Sequence, residues 1–203
     1  PRLLDVPDDT VFVGGRDIRK MPLATLRKKI GFVSQDVFIF SDTIRNNVAF
    51  GRDDVTDEAL RQALGVAGIL EEMEGLEQGV NTLLGERGIT LSGGQRQRLT
   101  IARAIVGNFP ILILDDALSM VDTRTEEGIL NQILNLRQNR TNVIVSHRVS
   151  TIRRADRIFV FDRGRLKEEG THESLISLGG IYGALYEEQL LGEALGNGGE
   201  SSP

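Results

Sequence analysis

The amino-acid sequence predicts an α/β fold organised around a mostly parallel sheet. Two short runs, residues 111–114 and 142–145, are apolar apart from Asn142 and have the length and composition of strands that are buried on both faces. Between them, residues 123–138 repeat isoleucine and leucine at helical spacing. A strand, a helix and a strand at this spacing predict a right-handed crossover within a parallel sheet.

The segments that precede this crossover predict two further strands. Residues 11–13 are apolar and end at the turn-forming pair Gly14-Gly15. Residues 30–33 form a second apolar run, which follows the polar segment 16–29. We expect both runs to be short strands.

A helical lobe, residues 41–108, is predicted to be inserted into this α/β core. Short helical patterns at 43–49, 56–66 and 69–74 are separated by glycines, which favours several short helices over one long helix. Residues 85–88 read as a loop. Ser92 is a good N-cap for a helix that runs to residue 106.

The C-terminal part predicts a strand, a turn, a returning edge strand and two helices. These elements are expected at residues 157–161, 162–165, 166–169, 172–177 and 181–191. We expect His172, among the helix-start residues, to lie at the surface without a catalytic role. Glycine, glutamate, serine and asparagine dominate residues 192–203, so the folded domain is predicted to span 1–191 and to end in a flexible tail.

Composition excludes several classes of function. The 203 residues include 24 basic and 29 acidic side chains, a formal charge of −5, and no basic block, which argues against a nucleic-acid partner. The chain has no cysteine, so disulfide, thiolate-metal and thiol chemistry are excluded. Its longest apolar runs fall far short of the ~20 residues that a membrane-spanning helix needs.

Polar side chains are expected at the carboxyl ends of the parallel strands, where such sheets bind ligands. Gln35, the pair Asp115-Asp116, and His147 each follow an apolar run. A carboxylate at the end of a buried strand suits Mg²⁺ beside nucleotide phosphates. By itself, however, such a pair more often caps the next helix.

A second candidate site is the segment Ser92, Gly93, Gly94 and Gln95. Glycines allow a phosphate to approach the backbone, the serine hydroxyl can donate to a phosphate oxygen, and the start of the following helix attracts anions. A simple glycine-containing N-cap would explain this segment equally well when it is considered alone.

Taken in chain order, five segments resemble the Q-loop, signature motif, Walker B motif, D-loop and switch histidine of ATP-binding-cassette (ABC) proteins. They are Gln35, residues 91–98, residues 111–116, residues 119–122 and His147. The resemblance extends to about residue 191. Residues 40–48, 85–88 and 169–173 resemble the nucleotide-binding domain of exporter-type half-transporters, such as those of heterodimeric multidrug or lipid exporters, more than import-type subunits.

The resemblance implies a P-loop NTPase-like fold and a role for each matching residue. Asp115 would hold Mg²⁺ through water, and Gln35 would be a second contact that also senses the membrane domain. His147 would contact the γ-phosphate of ATP, and Asp116 would orient the attacking water. Residues 92–95 would bind ATP held by the opposite subunit, and Asp122 would link the two sites.

The implied cofactors are ATP and Mg²⁺, and the implied partners are a second half-transporter and the transmembrane domain of the parent chain. The parent protein would therefore lie in a membrane, with this domain at its cytoplasmic face. Its reaction would be ATP hydrolysis coupled to substrate export.

Two departures from the family pattern qualify this prediction. The family has glutamate where this chain has Asp116, whose carboxylate is withdrawn by about 1.5 Å, one C–C bond. Such a carboxylate is typical of one half of a heterodimeric exporter; the alternative is a homodimer in which aspartate is adequate. The second departure is that no Walker A loop, G-x-x-x-x-G-K-[ST], occurs in the sequence.

In the family that loop, with the first strands, lies upstream of residue 11, so we expect the chain to be the C-terminal part of a domain cut from a longer protein. Two alternatives remain open at this point. The chain could be a fragment or pseudo-ATPase that lends its signature motif to a partner. It could also be a soluble ABC-type ATPase of DNA repair, which the exporter-like segments and the acidic charge disfavour.

Overall fold

The structure, a computed structural model, describes residues 1–85 and 88–197, and these described residues fall into two compact units that divide after Val145. The first unit contains a small antiparallel pair, β1 (Phe12–Val13) and β2 (Arg16–Asp17). Its main sheet is parallel, in the order β3 (Ile30–Val33), β4 (Ile111–Asp115) and β5 (Thr141–Val145). This architecture confirms the predicted α/β class with a parallel sheet.

Six helices of the first unit connect or cover these strands within its described residues. They are α1 (Leu23–Arg27), α2 (Ile44–Ala49), α3 (Asp57–Val66), α4 (Leu70–Glu74), α5 (Gly93–Val106) and α6 (Thr123–Leu136). The predicted helices at these places agree within about two residues. Helix α1 was not predicted, because it is short and fully buries only Leu26.

The lobe helices α2, α3 and α5 pack around a common apolar core. Ile44, Leu64 and Leu99, one from each helix, are completely buried. Thr43 and Thr56 cap the first two helices by accepting the backbone N–H three residues ahead. Burying a leucine or isoleucine side chain contributes about 1.5–3 kcal/mol, so this core holds the lobe together.

The parallel sheet has one buried face and one open face. Val33, Leu112 and Leu114 are at most 2% exposed, whereas Val143 and Val145 on the other side of the pleat are 43% and 51% exposed. The prediction that these strands are buried on both faces is therefore wrong for the described residues. The sequences of these strands do not reveal the exposed face, because the side chains on both faces are apolar. Whether a face is buried depends on which helices pack against it.

The second unit pairs β6 (Ile158–Asp162) with β7 (Arg165–Gly170) in an antiparallel hairpin. Three helices accompany it among the described residues: α7 (Val149–Ile152), α8 (His172–Leu178) and α9 (Ile181–Asn197). Val149, Ile158, Leu175 and Tyr182 form its core.

His172 is half-buried in this unit, and not simply a surface residue as predicted. Its Nδ1 atom lies 2.8 Å from the hydroxyl of the buried Tyr182, and its ring packs edge-on against Tyr182 and Tyr186. The first residue of a helix gives no local sign of this contact, because the tyrosines come from the next helix.

Helix α9 runs to Asn197, so the predicted tail begins too early at residue 192. Gly192 and Gly196 each cost a helix about 1 kcal/mol, but Glu193, Ala194 and Leu195 between them are strong helix formers. The rest of the predicted tail, residues 198–203, lies outside the described residues. Among the residues that are described, no helix has the length and apolar character needed to cross a membrane.

Candidate functional site

Gln35 and Asp115 lie at the same edge of the parallel sheet. Strand β3 ends opposite Leu114, so Gln35, two residues beyond it, and Asp115, the last residue of β4, both follow the carboxyl ends of paired strands. The Gln35 side chain is exposed and that of Asp115 is half-buried. The predicted placement of these two residues at one edge is thus reproduced.

One carboxylate and one amide oxygen form a sparse donor set for a metal ion. Among residues 1–85 and 88–197, no group of three or more acidic or histidine side chains could hold a metal without other ligands. Metal binding by Asp115 and Gln35 stays a prediction; such a pair would suit only an ion that keeps several waters and takes its remaining ligands from substrate phosphates. Mg²⁺ in nucleotide sites is bound in this way.

Asp116 has an unusual backbone conformation, with φ of +48°. Its N–H donates to the Val145 carbonyl at 2.9 Å, and its own carbonyl accepts from the Ser119 N–H at 3.3 Å. Aspartate tolerates this left-handed region better than most residues. Such positions store about 1–3 kcal/mol of strain and cluster at functional sites, but six other non-glycine residues among those described also have positive φ, so this conformation does not by itself single out Asp116.

Ser92 and Gln95 form a reciprocal capping box at the start of α5. The Gln95 N–H donates to Ser92 Oγ at 3.2 Å, and Gln95 Oε1 accepts from the Ser92 N–H at 2.9 Å. Gln95 Nε2 donates to Glu72 Oε2 at 2.8 Å. The predicted N-cap is therefore present, and ATP binding by these residues stays a prediction.

Glu72 was missed by sequence reasoning, although it ties the lobe to this capping box. Its carboxylate also pairs with Arg98, whose Nη1 lies 2.5 Å from Oε1, and Arg98 donates to the Gly68 carbonyl at 2.7 Å. Burial raises the pKa of Glu72, but the hydrogen bonds from Arg98 and Gln95 outweigh it and lower the pKa overall. No sequence spacing reveals this link, because the partners are more than twenty residues apart.

Gly93 and Gly94 lie directly against the segment 119–122. A Cβ atom at Gly94 would lie 2.9 Å from the Met120 carbonyl oxygen, and one at Gly93 would lie 2.6 Å from Met120 Sδ. The glycine pair therefore has a second use beside any ligand, because it lets two predicted motifs of the same chain pack together.

Asp122 caps helix α6. Its Oδ1 accepts from the Thr125 N–H at 3.0 Å, and this bond lowers the pKa of Asp122. The side chain is otherwise exposed. Its expected link between two nucleotide sites stays a prediction.

His147 belongs to the second unit, as the second residue after β5. Its side chain is exposed, and its carbonyl accepts from Gln189 Nε2 at 2.8 Å. This bond holds the backbone of the predicted switch residue to α9. Its predicted contact with the γ-phosphate stays a prediction.

An aromatic surface follows Gln35, and sequence reasoning did not find it. Arg103 of α5 holds it together: Nε donates to the Asn47 carbonyl at 2.7 Å and Nη1 to the Phe38 carbonyl at 3.0 Å. The guanidinium also lies over the rings of Phe40 and Phe50, 5.4 and 5.0 Å from their centroids. Phe38 and Phe50 are 65% and 55% exposed and border a groove of about 650 Å³.

Comparison with known proteins gives a consistent result. A family model described as ABC transporter matches residues 2–119. The chain is 46% identical over 189 residues to an ATP-dependent lipid A-core flippase of Desulfotalea psychrophila, an alignment that covers 93% of this chain and 33% of the flippase. It is 49% identical over 168 residues to the flippase of the same name from Shewanella oneidensis, over 82% and 28% of the two chains.

A solved structure is similar as well. The structure of a bacterial Atm1-family ABC exporter with ATP bound matches with a TM-score of 0.82 and 42% sequence identity, over 87% of this chain and 31% of that chain. The chain thus spans about one third of the length of the proteins that it matches. The family match covers more than half of the chain and includes the sheet edge and the packed glycine pair, so this chain belongs to the ABC transporter family, as part of its ATP-binding domain.

Proposed function

We propose that this chain is the ATP-hydrolysing part of an ABC exporter and works as a head-to-tail pair with a second such domain. The packing of Gly93-Gly94 against residues 119–122 carries this proposal. It joins the segment expected to bind the partner's ATP to the segment that follows Asp115 and Asp116, so one surface of the chain presents both.

Each candidate residue has a distinct task in this proposal. Gln35 and Asp115 would hold Mg²⁺ at the sheet edge, and the ion would neutralise charge on the β- and γ-phosphates. Asp116 would accept a hydrogen bond from the attacking water. Ser92 and the backbone N–H groups of Gly93 and Gly94 at the start of α5 would bind phosphate oxygens of the ATP held by the partner.

Asp116 is proposed to be a weakened catalytic carboxylate. Its N–H bond to the Val145 carbonyl fixes the backbone to the neighbouring strand. The backbone therefore does not shift by the roughly 1.5 Å that one missing methylene removes. A misplacement on the order of 1 Å can cost about a hundredfold in rate.

This shortened carboxylate, next to a complete signature segment, favours a heterodimer in which the partner site performs most of the hydrolysis. The substrate would be an amphipathic molecule drawn from the membrane, since two relatives are named lipid A-core flippases. The parent protein would lie in a membrane, with this domain at the cytoplasmic face.

The aromatic groove beside Gln35 is proposed to receive the membrane-embedded part of the parent protein. It combines exposed rings, Phe38 and Phe50, with the basic side chains Arg27 and Arg52. An apolar segment with acidic residues would match this surface. Its position directly after Gln35 would let a shift of that segment reach the metal site.

The experiment uses the full-length parent protein with its partner, reconstituted in lipid. Ser92→Arg should abolish ATP turnover, because the arginine would fill the space of the partner's phosphates. Asp116→Asn should change turnover less than about threefold, whereas the matching glutamate-to-glutamine change in the partner should stop it.

Two outcomes contradict parts of the proposal. Loss of hydrolysis in Asp116→Asn alone would show that this carboxylate is competent and would favour a homodimer. Unchanged turnover in Ser92→Arg would refute the head-to-tail arrangement.

A non-hydrolytic role for the 203-residue chain in isolation is the second candidate. The sequence lacks the loop that grips the β- and γ-phosphates, so we expect negligible ATPase activity and weak Mg-ATP binding at best. Tight binding in isothermal titration calorimetry of this chain would exclude that role.

A further inference from the structure

Gln97 is a fully buried amide at the contact between α5 and residues 116–120. Its Oε1 accepts from the Met120 N–H at 2.8 Å, and its Nε2 donates to Ser119 Oγ at 3.0 Å. A longer contact of 3.5 Å joins Nε2 to the Asp116 carbonyl. The side chain has no exposed surface.

Burying an amide without hydrogen bonds costs several kcal/mol, so its partners determine where it can lie. Both ends of the Gln97 amide are used, and every described partner lies in the segment that follows β4. The amide therefore fixes the distance between the helix that begins at the signature segment and the loop that contains Met120.

The strained backbone of Asp116 gives this contact a second consequence. A residue with φ of +48° holds its conformation only where its surroundings over-determine it. The Val145 carbonyl holds the Asp116 N–H, while Ser119 N and Gln97 Nε2 both approach the Asp116 carbonyl. Ser119 is in turn hydrogen-bonded through its hydroxyl to Gln97.

We infer that Gln97 is a positioning residue that links the signature helix to Asp116 and to residues 119–122 within one chain. It carries a displacement of α5 to the catalytic carboxylate and to the surface that faces the partner domain. The inference rests on the proposed function for its effect on turnover, but the link itself is a property of the fold.

Two variants of Gln97 distinguish the hydrogen bond to Met120 from the contacts with Ser119 and with the Asp116 carbonyl. Gln97→Met keeps the length of the side chain and removes every hydrogen bond. Gln97→Glu keeps the shape and the acceptor for the Met120 N–H. A carboxyl buried here without a cationic partner is neutral, and its single O–H can donate to Ser119 Oγ or to the Asp116 carbonyl but not to both, so only part of the link is kept.

The experiment measures ATP hydrolysis and amide hydrogen exchange in the full-length parent protein with its partner. Gln97→Met should lower kcat about tenfold to a hundredfold with KM unchanged within about twofold, because the signature segment and residues 119–122, which would face the partner's competent site, lose their fixed relative position. The share of this loss that acts through Asp116 should be small, since Asp116→Asn itself is expected to change turnover less than about threefold. Exchange of the Met120 amide should become about tenfold faster. Gln97→Glu should retain Met120 protection and recover part of kcat.

Thr100→Val is the matched control on the same helix. Thr100 is also buried, but within the described part of the chain its hydroxyl donates to the Gln97 and Arg96 carbonyls of α5 and to no group outside that helix. This variant should leave both kcat and Met120 exchange unchanged within about twofold.

Three results would overturn the inference. Gln97→Met could leave kcat and Met120 exchange as in the wild type, or Thr100→Val could lower both equally, which would indicate general loosening of α5. Gln97→Met could also raise KM in proportion to its loss of kcat. If the wild type hydrolyses no ATP, the proposed function fails, and Met120 exchange alone then decides whether the link exists.

Discussion

Replacing Gly94 by alanine tests the close packing on which the proposed function depends. The new Cβ would lie 2.9 Å from the Met120 carbonyl oxygen, about 0.5 Å inside ordinary van der Waals contact. The carbonyl cannot turn away cheaply, because the Met120 N–H is bonded to Gln97 and the next N–H, of Val121, to the Leu118 carbonyl at 3.0 Å.

The magnitude follows from two opposing effects. Overpacking of this kind costs about 1–3 kcal/mol, and alanine regains at most about 1 kcal/mol of helix propensity. Because the atom that the new Cβ meets belongs to the backbone, the overpacking cost lies in the upper part of this range, about 2–3 kcal/mol. The net loss of about 1–2 kcal/mol should lower the melting temperature by about 2–8 °C in a chain of this size. Gly128→Ala is the control, since a Cβ there meets nothing within 4 Å and should raise the melting temperature by up to about 4 °C.

The assay is thermal unfolding of both variants, followed by circular dichroism at 222 nm under identical conditions. Opposite signs for the two alanine substitutions are the expected result. A Gly94→Ala variant as stable as the wild type would refute the close contact between the signature segment and Met120, and with it the geometry behind the inference for Gln97.

Three further predictions concern the surroundings of the site. Arg103→Met should lower the free energy of unfolding, measured in urea, by about 2–4 kcal/mol, because it removes the charged hydrogen bonds to the segment after Gln35. An unchanged free energy of unfolding would show that the aromatic surface is stable without Arg103. Glu72→Gln should make the free energy of unfolding fall less steeply as the pH is lowered. Because the folded state lowers the pKa of Glu72, its stabilisation is complete above the unfolded-state pKa near 4.3 and disappears as the pH falls through the folded-state pKa. An equally steep loss of stability in acid for the variant and the wild type would contradict the ion pair with Arg98. Tyr182→Phe should reduce the loss of stability at alkaline pH. Burial raises the pKa of Tyr182 to about 12, so its contribution to stability is complete below pH 10 and is lost as the pH rises from 10 to 12. Absorbance at 295 nm should show that this tyrosine ionises at a higher pH than a free tyrosine, and ionisation at the ordinary pH would contradict the prediction.

The elements that could be predicted from the sequence are those with a local signal. Strand β3 and helix α5 were located correctly because an apolar run lies between breakers in one case and a serine cap begins the other. The order of the motifs then identified the family. The strand and helix signals each lie within about fifteen neighbouring residues, whereas the order of the motifs extends from Gln35 to His147.

The features that could not be predicted depend on contacts between distant segments. Arg103 reaches Phe38 across 65 residues, and Gln97 reaches Met120 across 23. The left-handed backbone of Asp116 depends on a bond to a strand some thirty residues away and on the loop that follows. The apolar pattern of a strand does not report which of its faces another layer covers, which is why the open face of the sheet was missed.

The proposed site has two parts: residues 92–95, which would bind the ATP held by a partner, and Asp116, which would act on the ATP held by this chain. Several contacts fix the first part, since a capping box holds Ser92, Glu72 accepts a hydrogen bond from Gln95, and the glycines pack against Met120. The backbone of Asp116 is equally fixed, but its side chain is one methylene shorter than the glutamate that the family has at this position. Because the backbone is held, the rate at this site should depend on side-chain length, so Asp116→Glu should accelerate hydrolysis there by up to about a hundredfold in single-turnover measurements. An unchanged single-turnover rate would mean that the shortened side chain does not limit the reaction, and the argument for a heterodimer would lose its basis.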